Sequence, residues 1–167
     1  MSAHVEICFR LDGQDRAVAA APNTALLDLL RERYGLTGVK ASCERGVCGA
    51  CTVLVDGTPS ASCSLFAFAV DGSDVETVHG QAQVNGQGET VLGPVQRAFA
   101  ERAGFQCGYC TPGMIMLATA LLREHPDPDE SQIRSWISSN ICRCTGYQMI
   151  IESVRRAAEL LEEEAHD

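Results

Sequence analysis

Nine cysteines in 167 residues are the feature that most limits what this chain can fold into. Their share of the sequence lies below the roughly 8–10% that marks disulfide scaffolds, and the chain is longer than most of those. In a reducing compartment, clustered cysteines indicate metal ligands or redox groups before they indicate disulfides. Eight of the nine form a first and a second cysteine group: Cys43, Cys48, Cys51 and Cys63, then Cys107, Cys110, Cys142 and Cys144.

The first cysteine group has the spacing C-x4-C-x2-C followed, after eleven more residues, by Cys63, as in plant-type ferredoxins. A [2Fe–2S] cluster needs two thiolates on each iron, so three ligands from one loop require that loop to curl around the cluster. Backbone N–H groups must point at the anionic sulfurs, and Gly46 and Gly49 supply the dihedral angles and close approach this requires. Zinc sites usually pair two short knuckles, so the spacing favours iron–sulfur over zinc.

The second cysteine group is less specific by spacing alone. Cys107-x2-Cys110 precedes Pro112 and a predicted helix, and Cys142-x-Cys144 lies between two predicted helices. Both pairs are therefore expected at one end of a helical domain, where helix N-termini offer N–H groups to an anionic cluster. The spacing leaves an iron–sulfur cluster, a zinc site and a redox dithiol open. A Rieske centre is disfavoured, because no histidine lies near these cysteines.

The N-terminal half is predicted to contain strands and one helix. Thr24 is placed as the N-cap of a leucine-rich helix over 25–34, which Gly35 is placed to end. Alternating hydrophobic residues and turn signals predict strands over 5–11, 16–20, 52–55 and 75–78. This combination indicates a small α+β domain over residues 1–78.

The C-terminal half follows a different period. Residues 79–88, rich in Gly, Gln and Asn, are predicted to form a linker. Beyond them hydrophobic residues recur about every 3.6 positions, and Asp129 or Ser131 is expected to begin the third helix. The predicted helices cover 95–102, 112–124, 129–138 and 147–164. Residues 89–167 are therefore predicted to form a helical-bundle domain.

Charge and hydropathy exclude several partners. A formal net charge of −9 argues against nucleic acid and against an anionic membrane surface. No apolar run reaches the length needed to span a bilayer, and the N-terminus lacks the basic and apolar stretches of a secretory signal. We therefore expect a cytoplasmic protein, in which the acidic residues 162–164 form a solvated tail.

No catalytic residues are predicted in this chain. It lacks the G-x-G-x-x-G turn of dinucleotide-binding domains, and it shows no Ser-His-Asp or Cys-His arrangement. The remaining cysteine, Cys8, is expected to be a small packed hydrophobic residue in the first strand. The chemistry of this chain is therefore expected to rest on its two cysteine groups.

These motifs resemble the small [2Fe–2S] subunit of the molybdenum hydroxylases, the xanthine dehydrogenase and aldehyde oxidoreductase family. The matching segments are residues 36–40, 43–51, 106–113 and 142–147, so the resemblance covers nearly the whole chain in one order. It implies a [2Fe–2S] cluster on the second cysteine group as well as on the first. Ser42 departs from the family, whose members often carry glycine there, but no ligand is lost.

The resemblance also implies a fold, a function and partners. The fold is a plant-type ferredoxin-like β-grasp domain followed by a C-terminal four-helix bundle. The function is electron transfer within an oxidoreductase, from a molybdopterin-type molybdenum cofactor on a large subunit to FAD on a medium subunit. Gln106 and Cys144 would contact the pterin, and the assembly would be a dimer of heterotrimers. A free-standing two-cluster carrier and a structural zinc-binding module are the alternatives.

Overall fold

The alternating residues near the N-terminus form the first strand of a mixed sheet in the computed structural model, which describes residues 4–166. Ile7, Phe9 and Leu11 of this strand point into the core. The five strands are β1 (Val5–Leu11), β2 (Gln14–Ala20), β3 (Thr52–Val55), β4 (Thr58–Ala61) and β5 (Asp74–Glu76). They are arranged in the order β2-β1-β5-β3-β4, with β1 parallel to β5 and every other pair antiparallel.

The leucine-rich helical segment covers one face of this sheet. Helix α1 (Leu26–Asp28) continues as a π-helical turn over Leu29–Arg33, within the range predicted for one helix. Its four leucines are buried and share a core with β1, β3 and β5. The N-terminal half therefore has a hydrophobic core of its own, built mainly from aliphatic side chains.

Two features of the N-terminal half differ from the prediction. Strand β4 was not predicted, because Pro59 argues against a strand, but an edge strand tolerates proline. The prediction that Cys8 is packed is wrong, because its side chain lies on the uncovered face of β1 and is exposed. The Cys8 backbone N–H donates to Asp71 Oδ1 over 2.7 Å, which ties the strand to a neighbouring loop.

Residues 79–88, predicted as a linker, contribute to a short hairpin. Strand β6 (Gln83–Val84) pairs with β7 (Thr90–Val91). Asn85 closes the turn, since its Oδ1 accepts the N–H groups of Gln87 and Glu89 over 3.0 and 2.9 Å. Local side-chain capping of this kind gives regular structure to a segment with little hydrophobic pattern.

Four helices follow, in the order predicted. They are α2 (Pro94–Glu101), α3 (Thr111–Glu124), α4 (Glu130–Ile137) and α5 (Gln148–His166). Asp129 is the N-cap of α4, since its Oδ1 accepts the Gln132 N–H and the Gln132 side chain accepts the Asp129 N–H, each over 2.8 Å. The four helices share a second hydrophobic core. Within residues 4–166, no helix is long and apolar enough to cross a membrane.

The acidic end of the chain is helical and paired. Helix α5 continues through the residues predicted to be a solvated tail. Glu163 accepts from Arg156 over 3.0 Å, and Glu164 accepts from Arg97 of α2 over 3.1 Å. The pair of Glu164 with Arg97 joins the end of α5 to α2, whereas the pair of Glu163 with Arg156 lies within α5.

The two halves meet where β3 packs on α3. Leu54, Met116 and Ala120 are buried together there, and Trp136 packs beside them with its indole N–H donating to the Leu117 carbonyl over 3.0 Å. Across the same contact, Arg123 of α3 donates two hydrogen bonds to the Glu76 carboxylate, over 2.6 and 2.8 Å. A small apolar cluster and one bidentate ion pair thus join the two cores.

We predict that Arg123→Gln lowers the free energy of unfolding at neutral pH by about 0.5–1 kcal/mol, the range for a partly exposed pair. The hydrogen bonds from Arg123 hold the pKa of Glu76 below its ordinary value of 4.5. The contribution is therefore present above that pH and is lost as the pH falls through the lowered pKa. Denaturant unfolding between pH 7 and pH 3 measures this.

Arg102→Gln is the matched control for that variant. It removes a positive charge that has no ion pair in the described part of the chain. The loss of unfolding free energy in Arg123→Gln should disappear near pH 3 and should be absent from Arg102→Gln. A loss that stays constant down to pH 3, or that Arg102→Gln reproduces, would show that the pair with Glu76 does not join the halves as described.

Candidate iron–sulfur centres

The loop of the first cysteine group turns its backbone N–H groups toward sulfur. The N–H groups of Val47 and Cys48 both donate to Cys43 Sγ over 3.4 Å. The Gly46 N–H donates to Cys63 Sγ over 3.2 Å, and Gly46 has a left-handed φ of +72°. A loop of this shape gathers partial positive charge around thiol sulfurs, which suits an anionic sulfur centre.

These donors change the acidity of the thiols. Backbone hydrogen bonds from Arg45, Cys48 and Val47 lower the pKa of Cys43 to about 6. Burial raises the pKa of Cys51 to about 11. The loop therefore stabilises the thiolate of Cys43 by itself, whereas Cys51 gains its negative charge only if a metal replaces the thiol proton.

The eight sulfurs come together in twos. Within residues 4–166, no three His, Cys, Asp or Glu side chains are placed to hold one metal ion. The Cys107 and Cys144 sulfurs are 3.6 Å apart, and Cys48, Cys63 and Cys142 respectively shift the pKa values of Cys43, Cys51 and Cys110. Each group of four thus consists of two pairs, which is the donor set of a cluster with two thiolates on each of two irons.

The second cysteine group runs from the surface into the helical core. Cys107 and Cys144 are exposed, with their sulfurs 3.6 Å apart, whereas Cys142 is buried. Cys110 is the N-cap residue of α3, so the positive end of that helix lies at the site. Burial raises the pKa of Cys110 to about 12. The pKa of Cys142 is lowered overall. Burial acts to raise it, but the hydrogen bonds from Thr145 and Cys144 have the larger combined effect.

A buried hydroxyl beside the second cysteine group indicates that the site takes a polar group. Thr111 follows Cys110 directly, and its Oγ1 is buried with no hydrogen-bond partner among residues 4–166. An unpartnered buried hydroxyl is costly, and an anionic group bound next to it would accept a hydrogen bond from it. The residues present therefore fit a sulfide-containing cluster.

The two cysteine groups are joined through the backbone. The N–H of Ile141 donates to the carbonyl of Cys48 over 2.9 Å, and Ile141 directly precedes Cys142. The Tyr109 hydroxyl, between two cysteines of the second group, donates to the Ala41 carbonyl before the first group. Two hydrogen bonds therefore join the loops that carry the second cysteine group to the loop that carries the first.

Gly49 allows this close approach. Its φ is +69°, and a Cβ there would lie 1.6 Å from Oδ1 of the buried Asn140. Asn140 Nδ2 donates to Thr52 Oγ1 over 3.3 Å, and the Asn140 carbonyl accepts from the Tyr147 hydroxyl over 3.0 Å. Sequence reasoning identified Gly49 but missed Asn140, Thr145 and Tyr147, whose only signal was their place around the Cys142-x-Cys144 motif.

The residues expected to face a pterin lie together at the surface. Gln106 is exposed beside Cys107, whose sulfur contacts Cys144. Three large apolar side chains near them are also exposed, namely Phe105, Tyr109 and Ile141. The exposed end of the second cysteine group therefore lies on a surface with apolar character.

Comparison with known proteins gives matches over nearly the whole chain. The family model described as "2Fe-2S iron-sulfur cluster binding domain" matches residues 9–79, and the one described as "[2Fe-2S] binding domain" matches residues 77–155. The nicotinate dehydrogenase small FeS subunit of Eubacterium barkeri is 46% identical over 155 residues, which cover 93% of this chain and 96% of the relative.

A second relative and a solved structure agree with these matches. The xanthine dehydrogenase iron-sulfur-binding subunit of Escherichia coli O157:H7 is 46% identical over 147 residues, covering 86% of this chain and 88% of that protein. Quinoline 2-oxidoreductase from Pseudomonas putida 86 contains a chain of the same fold, with a TM-score of 0.89 and 39% identity. That match covers 96% of this chain and 97% of the other.

We predict that Gly49→Ala destabilises the protein by about 2–5 kcal/mol, because it adds a methyl group against Asn140 to the strain of a left-handed residue. Gly57→Ala is the matched control, since Gly57 has a φ of +78° but open space around it, and it should cost only about 1–2 kcal/mol. Denaturant unfolding and iron content measure both. Equal losses in the two variants would show that the contact with Asn140 is unimportant.

Proposed function

Because the chain belongs to the small [2Fe–2S] subunits of the molybdenum hydroxylases, we propose that it relays electrons between the cofactors of two larger subunits. The observation that carries this proposal is the 2.9 Å hydrogen bond from Ile141 to Cys48. It links a residue adjacent to one cysteine group with a member of the other. Electron transfer between two clusters requires that they lie close together, whereas two independent structural metal sites do not require a direct hydrogen bond between their loops.

In this proposal the first cysteine group holds one [2Fe–2S] cluster and the second group holds the other. The pairing of the sulfurs supports this ligand set, as do the N–H donors of the first loop. Each cluster, when bound, supplies a centre that gains and loses one electron. The chain itself holds the ligands at a fixed separation, supplies hydrogen bonds to their sulfurs and limits the access of water.

We assign the sheet with its helical segment to a plant-type ferredoxin-like β-grasp domain over residues 1–78. Residues 79–88 connect it to a four-helix bundle over residues 89–167. The support for this division is that each half has its own hydrophobic core. The mixed sheet order and the mutual packing of α2 to α5 support the two named folds.

The proposed route begins at the exposed end of the second cysteine group. Gln106 and Cys144 would meet the molybdopterin cofactor of the large subunit, and the first group would lie nearer the FAD of the medium subunit. Exposure of Cys107 and Cys144 beside apolar side chains supports a partner surface there. No catalytic residue is assigned to this chain. We place the complex in the cytoplasm as a dimer of heterotrimers, with no role for nucleic acid or membrane.

We predict that Cys43→Ser and Cys107→Ser each abolish one of two cluster signals in electron paramagnetic resonance and leave the other. Each variant removes one thiolate from one group of four, and each should also lose about half of the iron. Cys8→Ser is the matched control, because Cys8 is exposed on β1 and belongs to neither group, so both signals should persist. An unchanged spectrum in either ligand variant would contradict the assignment.

We also predict that the chain, isolated from its native source under anaerobic conditions, copurifies with a molybdenum-containing subunit and a flavin-containing subunit. Mass spectrometry and analysis for molybdenum and FAD measure this. An iron-loaded chain that is isolated alone would support the free-standing carrier instead. A chain that contains zinc but no iron or sulfide would contradict both electron-transfer functions.

A further inference from the structure

The Thr145 hydroxyl lies beside the buried sulfur of the second cysteine group. Its Oγ1 is 3.1 Å from Cys142 Sγ, within hydrogen-bond distance for sulfur. Thr145 is half-buried in the turn that follows Cys144. The proposed function gives this side chain no role, although its hydroxyl lies closer to a proposed ligand sulfur than the Ser64 hydroxyl does, at 3.1 Å against 3.7 Å.

The direction of this hydrogen bond follows from the other contact of the hydroxyl. The backbone N–H of Tyr147 donates to Thr145 Oγ1 over 3.2 Å. Oγ1 is therefore already an acceptor, and its single proton is free to point at Cys142. A cysteine that binds iron is a thiolate without a proton, so Thr145 must be the donor.

We propose that Thr145 donates a hydrogen bond to Cys142 Sγ and thereby raises the reduction potential of the cluster that the second cysteine group holds. The inference rests on the proposed function, because it requires that cluster. Reduction adds one electron and so one negative charge to the cluster. A hydroxyl dipole aimed at a ligand sulfur stabilises the more negative reduced form more than the oxidised form.

The surrounding turn keeps the hydroxyl in place. Gly146 and Tyr147 both have left-handed backbones, with φ of +63° and +69°. The Tyr147 hydroxyl accepts the Cys142 N–H over 3.0 Å, so this residue positions both the sulfur ligand and its donor. Thr145 accordingly acts on the cluster through the ligand Cys142.

The first cysteine group offers a contrast within the same chain. In that group, the exposed Ser64 Oγ lies 3.7 Å from Cys63 Sγ, and the buried Ser62 hydroxyl donates to the Cys51 carbonyl over 2.8 Å. That group receives its short donors from backbone N–H groups instead. Because Thr145 contacts Cys142 of the second group, a change at Thr145 should affect the second cluster only.

The experiment is a redox titration of the intact complex, followed by electron paramagnetic resonance. The Cys107→Ser variant first identifies which signal belongs to the second group. We expect Thr145→Val to shift that signal to lower potential, so that its reduced-to-oxidised ratio at a fixed potential falls about three- to tenfold. Thr145→Ser keeps a hydroxyl and should restore most of the potential, and Ser64→Ala should leave the second signal unmoved.

Several results would overturn the inference while leaving the function intact. One is a Thr145→Val variant that has both clusters and an unchanged reduction potential of the second cluster. Another is a Thr145→Ser variant in which that potential stays as low as in Thr145→Val. A third is a Ser64→Ala variant that lowers the same potential as much as Thr145→Val does. If Thr145→Val loses its cluster, Thr145→Ala takes its place, because it removes the same hydroxyl and must lower the second potential in the same direction. Absence of iron and sulfide from the unaltered complex would instead overturn the proposed function.

Discussion

The hydrogen bond between the Ile141 N–H and the Cys48 carbonyl is the contact on which the arrangement of the two cysteine groups depends. Each half of the chain has its own core, and among residues 4–166 the apolar cluster between them has three buried members, Leu54, Met116 and Ala120. Hydrophobic packing alone therefore fixes the halves weakly. Gly49 helps to fix the position of one half against the other, because only a residue without a side chain lets Asn140 reach the first loop.

Both cysteine groups face the same electrostatic problem and both use backbone N–H donors, to which the second group adds the hydroxyl of Thr145. Four thiolates concentrate negative charge that the protein must offset with hydrogen-bond donors. The first loop uses backbone N–H groups, which become available because left-handed residues such as Gly46 let the chain curl around the sulfurs. The second group lies at the N-terminus of α3, and Cys142 receives backbone hydrogen bonds from Cys144 and Thr145 as well as the side-chain hydrogen bond from Thr145. Backbone donors remain after most substitutions, whereas side-chain donors change with a single residue.

Features governed by local pattern could be predicted from the sequence, and those governed by distant contacts could not. Period-two and period-3.6 hydrophobicity located β1, β3 and the four long helices, and cysteine spacing defined both groups. Strand β4 was not predicted because Pro59 obscures the pattern. The exposure of Cys8 was missed because cysteine was treated as a hydrophobic residue, although Cys8 shares its face of β1 with the exposed Glu6 and Arg10. The role of Asn140 depends on Gly49, which lies far from it in the sequence.

The burial gradient within the second cysteine group gives the proposed relay a direction. Cys107 and Cys144 are exposed, while Cys142 is buried and follows the residue that contacts Cys48. One end of this group is thus open to a partner surface, and the other end leads into the chain toward the first group. Thr145 acts at the inner end, on Cys142. A hydrogen-bond donor at this position would adjust the reduction potential of the second cluster. It would do so without changing the exposed surface around Cys107 and Cys144.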